Sequence, residues 1–161
     1  MLFETLDEIS VPIAEVFVAV TAGSVIERFA AKRGLILRRV DLAGVLGLGP
    51  CWSTSFQFRG ATRQALVDVI KFEPDHLLCF QTHVQGLTTE FTIRFTPISD
   101  SQTRLLFTIE LLPNALPAGV FVHSLKFARA RVTARFAQGV RELTQETVSY
   151  THLTLPTILL V

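Results

Sequence analysis

From Cys51 to Leu112 the chain repeats one pattern, short stretches in which apolar and polar residues alternate, cut by turn formers. Successive side chains of a strand point to opposite faces, so each stretch predicts a strand with one dry and one wet side. Cys51–Arg59 puts Trp52, Thr54, Phe56 and Phe58 on one face and Ser53, Ser55, Gln57 and Arg59 on the other. Further strands are predicted over Arg63–Phe72 and Leu77–Val84. Thr89–Thr96 follows with Phe91, Ile93 and Phe95 inward, then Thr103–Leu112 with Leu105, Phe107, Ile109 and Leu111 inward. Gly60, Glu73-Pro74-Asp75, Gln85-Gly86 and Pro97–Gln102 supply the turns. Connections this short join antiparallel neighbours, which predicts a meander wet on one side.

Two flanking regions change the period. Leu2–Val11 reads as a first strand, with Phe3, Asp7 and Ile9 sharing a face opposite Glu4 and Glu8. Pro12 can open a helix, because its missing N–H costs nothing in the first turn. Ile13, Val16, Phe17 and Val20 then recur at helical spacing. Ser24 is placed to cap a second short helix, with Glu27 completing a capping box. Leu35–Ala43 reads as a strand, followed by a glycine-punctuated loop over Gly44–Pro50. After Pro113–Pro117, the residues Phe121, Leu125, Ala128, Val132, Phe136, Val140 and Leu143 step by three or four, one apolar stripe on a helix from Ala118 to about Glu146. The expected fold is α+β: a seven-stranded antiparallel sheet around a long C-terminal helix, with two short helices after the first strand.

The last segment stands apart. Val148–Thr157 resembles a translated sequencing-library adapter, one reading frame of which yields these ten residues in order. On that reading residues 148–161 are an artefactual tail, the domain is 1–147, and Tyr150 and His152 carry no functional weight. Its Thr, Tyr, Leu and Ile content also suits a strand.

Size and composition narrow the function classes. A chain of 161 residues holds one domain with a genuine core. Hydrophobic residues are 49% of it, yet no apolar run approaches the roughly 20 residues that cross a bilayer. Glu4, Asp7 and Glu8 sit where a secretion signal would be basic. The apolar surplus must be buried or line a pocket. The net charge of +1 gives no global field to recruit nucleic acid. Cys51 and Cys79 form no motif, and free thiols in a reducing cytoplasm are expected.

The order strand, Pro, helix in Phe3–Phe17 resembles the START-like (SRPBCC) superfamily, which includes polyketide cyclase/dehydrase-like and birch-pollen-allergen-like proteins. So do the glycine-led strand Gly47–Arg59, the Phe72-Glu73-Pro74-Asp75 turn, and the Phe91–Phe95 and Thr103–Leu111 pair. The resemblance covers residues 2–146. It implies a helix-grip fold around an internal cavity for a lipid, polyketide, quinone or similar apolar guest. It implies no cofactor and a monomer or weak homodimer. A minority of such proteins catalyse cyclisation or dehydration, but no catalytic motif of theirs is present to carry over.

The expected cavity walls are Trp52, Phe56, Phe80, Phe91, Phe95 and Phe107 from the strands, with Phe121, Leu125 and Val132 from the helix. The same side chains can serve as plain core, each worth roughly 1.5–3 kcal/mol when buried. Thr54, Thr82 and Thr89 share inward faces and could orient a guest's carbonyl. Asp7 is the candidate acid–base carboxylate, and His123, near the start of the long helix, the candidate imidazole. His83 and Cys79 lie about 13 Å apart along one strand, too far to grip one ion, and His76 adds no third ligand; no metal is expected. The glycine run Gly44–Gly49 lacks the Lys-Ser/Thr of a phosphate cradle and suits a lid or a plain loop. Lys126, Arg129, Arg131, Arg135 and Arg141 lie mostly off the helix stripe. They alternate with Glu142 and Glu146 as a solvated face, or serve a partner.

Overall fold

The computed structural model describes residues 1–21, 24–40, 51–58 and 60–159, and for 24, 58 and 152–159 the backbone alone. Seven strands, β1 (Leu2–Ile9), β2 (Arg38–Val40), β3 (Cys51–Phe58), β4 (Ala61–Glu73), β5 (Leu77–Val84), β6 (Leu87–Ser99) and β7 (Gln102–Pro113), form one antiparallel sheet in the order β1-β7-β6-β5-β4-β3-β2. Two short helices, α1 (Ile13–Thr21) and α2 (Ser24–Ala31), lead from β1 to β2. The C-terminal segment comprises α3 (Leu116–Leu125), a 3-10 turn over Lys126–Ala128, and α4 (Arg129–Leu159).

The predicted alternation sets the packing. Trp52, Phe80, Ile93, Phe95, Leu105 and Phe107 face inward and meet Val16, Phe17, Val20 and Val25 of α1 and α2 and Val140 and Leu143 of α4. Phe17 wedges edge-on between Phe95, at 5.2 Å, and Phe72, at 5.3 Å. Phe72 reaches this face because the β4–β5 register slips between Val69 and Lys71. The extra residue of such a bulge resets the alternation. Past the end of β1, the buried Thr103 hydroxyl donates to the Val11 carbonyl at 2.7 Å.

Several expectations are corrected. β1 stops at Ile9, short of Val11, and β2 begins at Arg38 where Leu35 was predicted; 41–43 of that predicted strand lie outside the described residues. The Gly44–Pro50 loop, Arg59 and the Ser24 side chain lie outside the described residues. The Glu27 carboxylate accepts the indole N–H of Trp52 at 2.9 Å, so this side chain serves the sheet contact. The long C-terminal helix is present and carries one 3-10 turn at Lys126–Ala128, just before which the Ser124 hydroxyl donates to the Phe121 carbonyl at 2.6 Å. Such back-bonding bends helices. Residues 148–159 continue α4 as helix where their composition favours strand, with Val148 and Tyr150 packed on the core. No helix among the described residues is long and apolar enough to cross a membrane.

Candidate functional site

The inner face of β4–β7 and the helices α2 and α4 leave a space between them. A cavity of 370 Å³ fills the gap. Its floor is Val67 of β4, Phe80 and Thr82 of β5, Thr89 and Phe91 of β6, and Ile109 of β7. Its roof is Ile26, Phe29 and Arg33 from the α2 side and Arg135, Phe136, Gly139, Val140 and Leu143 of α4. The volume falls within the range of small-molecule pockets, about 300–1,000 Å³. Phe91 is central: its ring lies 6.3 Å from Phe80, 6.0 Å from Phe107 and 6.4 Å, edge-on, from Phe136. Gly139 removes a side chain where the roof comes closest; a Cβ there would lie 3.3 Å from Arg33 Nη2 and 4.0 Å from Phe29 Cζ. A second cavity of 190 Å³ shares Thr89 with the first and lies under α3, between Phe56, Val84, Leu87, Pro117, Ala118 and Phe121.

The predicted wall residues divide by depth. Phe80 and Phe91 face the larger cavity, Phe56 and Phe121 the smaller. Trp52, Phe95 and Phe107 are buried in the core beyond the walls. Leu125 and Val132 are half-buried and line neither space. Thr82 and Thr89 do face the guest space, whereas Thr54 lines a polar hollow of 350 Å³ beside Arg38, Ser53 and Gln64.

The candidate reactive groups sit elsewhere. Asp7 lines an open hollow between β1 and α4, where Oδ2 accepts from the Thr144 hydroxyl at 2.7 Å and Oδ1 from the Glu8 amide at 2.9 Å. His123 is exposed, its ring 6.2 Å from that of Phe127. His76 is exposed, 3.7 Å from Glu73. His83 belongs to a chain on the other sheet face. The Asn114 amide donates to Thr88 Oγ1 at 2.6 Å, and that hydroxyl lies 2.8 Å from His83 Nδ1. His83 Nε2 lies 3.1 Å from Gln81 Oε1, and the Gln81 amide donates to Glu90 at 3.0 Å. The chain is consistent with Thr88 donating to Nδ1 and Nε2–H donating to Gln81 Oε1. Burial pushes both thiols up: Asp68 adds to it at Cys51, and the Thr92 hydroxyl, 3.3 Å from Cys79 Sγ, partly opposes it there.

Sequence reasoning missed Phe29, Arg33, Arg135 and Gly139. Arg33 lies over the Phe29 ring, 3.9 Å from its centroid, and pairs with Glu142. Arg135 has no ion-pair partner among the described residues. The detectable signal was Gly139, a helix-weakening residue beside the apolar stripe.

No family model matches the chain, and no curated protein matches it. Solved structures do match its fold. TTHA0849 from Thermus thermophilus superposes with a TM-score of 0.65 at 12% identity, over 93% of this chain and 99% of that one. Norcoclaurine synthase from Thalictrum flavum, solved with dopamine and hydroxybenzaldehyde, gives 0.63 at 13%, over 97% and 87%. Ara h 8.0201 gives 0.60 at 14%, over 92% and 98%. Identities this low carry the architecture alone: a helix-grip α+β fold of the START-like, birch-pollen-allergen-like kind.

Proposed function

We propose that this protein binds an apolar small molecule (a lipid, polyketide, quinone or similar compound) between its sheet and α4, as a cytoplasmic carrier or sensor without catalysis. The observation that supports this most is the 370 Å³ space walled by Val67, Phe80, Phe91, Ile109, Phe136 and Val140. An apolar cavity with a few convergent polar groups is the usual form of a small-molecule site. Here those groups are Thr82 and Thr89 on the floor and Arg33 and Arg135 at the rim. The fold accommodates small aromatic molecules elsewhere, since norcoclaurine synthase was solved with dopamine and hydroxybenzaldehyde. Binding is favoured over cyclase- or dehydrase-type chemistry because no carboxylate or imidazole stands among the described wall residues, while Asp7 and His123 face other surroundings. Every wall residue precedes Val148, in keeping with a binding domain of 1–147.

The test is a titration with the neutral fluorescent probe N-phenyl-1-naphthylamine, together with native mass spectrometry of the purified chain. Saturable one-to-one binding with a blue-shifted emission is expected. A protein that stays empty against this probe and a broad apolar library overturns the reading.

A further inference from the structure

Helix α3 is apolar on both faces and covered on one. Ala118 and Val122 are buried beneath it, while Leu116 is 84% exposed, Val120 63% and Phe127, in the turn that follows, 88%. Positions 116, 120, 123 and 127 recur every three or four residues, so these side chains and exposed His123 form one outward stripe. A helix hydrophobic all round is ordinarily buried on every side; here the outer side is bare.

The charge along this segment of the chain is of one sign. Between Leu111 and Arg141 there is no Asp or Glu, while Lys126, Arg129, Arg131, Arg135 and Arg141 all fall in that span. Arg129 is committed to the fold, donating to the Leu2 carbonyl at 3.0 Å and lying 5.2 Å from the Phe3 ring centroid. Lys126, Arg131 and Arg135 are exposed and hold no ion pair among the described residues. Bare apolar side chains flanked by unpaired cations are the chemistry of an interfacial helix on anionic lipid.

We propose that the outer face of α3 docks this protein onto an anionic membrane surface, with Leu116, Val120 and Phe127 entering the interface and Lys126 and Arg131 meeting the headgroups. A second copy of the chain fits this face poorly. A two-fold contact would bring the same cations together. The stripe runs only about 16 Å along the helix, at 1.5 Å per residue, against the roughly 800 Å² per partner of a stable interface. Docking needs no guest in the cavity and stands apart from the binding reading. The two are adjacent, because Pro117, Ala118 and Phe121 of the same helix roof the smaller cavity.

The full chain would be sedimented with vesicles of phosphatidylcholine alone and of phosphatidylcholine containing phosphatidylserine. Binding to the anionic vesicles is expected, weakening as salt rises. Phe127→Ser should lower partitioning about tenfold, and each charge removal, Lys126→Gln or Arg131→Gln, about fivefold. All three variants should keep the wild-type melting curve and naphthylamine affinity. Equal binding to both vesicles, no binding to either, or a Phe127→Ser variant that sediments like wild type overturns the proposal. So does a dimer in solution that Phe127→Ser dissociates while vesicles stay unbound, which assigns the face to a second copy.

Discussion

Gly139 separates the cavity from the stability of the helix that roofs it. Replacing a helical glycine by alanine removes a backbone-entropy cost of about 0.8–1.0 kcal/mol. The new Cβ would meet Arg33 Nη2 at 3.3 Å, the mobile end of a long side chain, and Phe29 Cζ at 4.0 Å, an ordinary contact. Gly139→Ala should therefore stabilise by about 0.5–1 kcal/mol, raising Tm by about 2–4 °C in a chain of this size, with little change in probe affinity. Gly139→Leu extends three more carbons into the guest space. At about 0.8 kcal/mol per buried carbon the gain is near 2 kcal/mol. Against it stands the displacement of Arg33 from Phe29, about 0.5–1 kcal/mol, and from Glu142, about 0–1 kcal/mol. The leucine variant should thus be at least as stable as the glycine protein, yet bind N-phenyl-1-naphthylamine at least tenfold more weakly, a loss of about 1.4 kcal/mol or more. Urea unfolding by circular dichroism and a fluorescence titration measure the two effects separately. A leucine variant that binds as wild type would remove this cavity as the site, and a destabilised alanine variant would refute the packing argument.

Other outcomes follow from single contacts. Glu27→Ala strands the buried indole N–H of Trp52 and should cost about 1–3 kcal/mol in urea unfolding, while Glu27→Gln keeps an acceptor and should cost less. Gly86 has φ 76°, and a Cβ there would lie 2.6 Å from Ala115 Cβ; Gly86→Ala should destabilise by about 1–2 kcal/mol or more and loosen the start of α3. Because burial holds the Cys51 and Cys79 thiols above their ordinary value of about 8.5, the unfolded chain ionises first as pH rises. Their contribution to stability should be full below about pH 8.5 and lost above it, and native thiols at about pH 8 should alkylate far more slowly than in urea.

How much of this could be read beforehand depends on what periodicity encodes. Alternation tells faces apart, so the inward sets of β3, β6 and β7 follow directly from sequence. It says nothing of depth: Trp52, Phe80 and Phe91 share the inner surface, yet Trp52 lies wholly in the core and Phe91 borders the cavity. It also fails where the count slips, as at the bulge before Phe72, which only the strand register reveals. Asp7 was assigned the right face, but whether that face met a guest depended on Thr144, 137 positions away, whose hydroxyl it accepts. Arg33 and Arg135 escaped notice because a charge beside an apolar stripe reads as solvated, although a long stem can bring its head to a cavity rim.

The break between α3 and α4 ties these features together. Arg129 fixes the start of α4 to the start of β1 through the Leu2 carbonyl and the Phe3 ring. The Asn114 amide N–H donates to the Gly86 carbonyl at 2.6 Å, and its side chain to Thr88, fixing the start of α3 to the β5–β6 turn. The 3-10 turn at Lys126–Ala128 lies between these two anchors. On one side of the turn Ala118 and Phe121 close the smaller cavity, and on the other Phe136, Gly139 and Val140 roof the larger. Leu116, Val120 and Phe127 stay in solvent, because the sheet can cover only one side of α3. The bare stripe and the closed cavity are thus two faces of one short helix, so a surface that buried the first would act directly on the cover of the second.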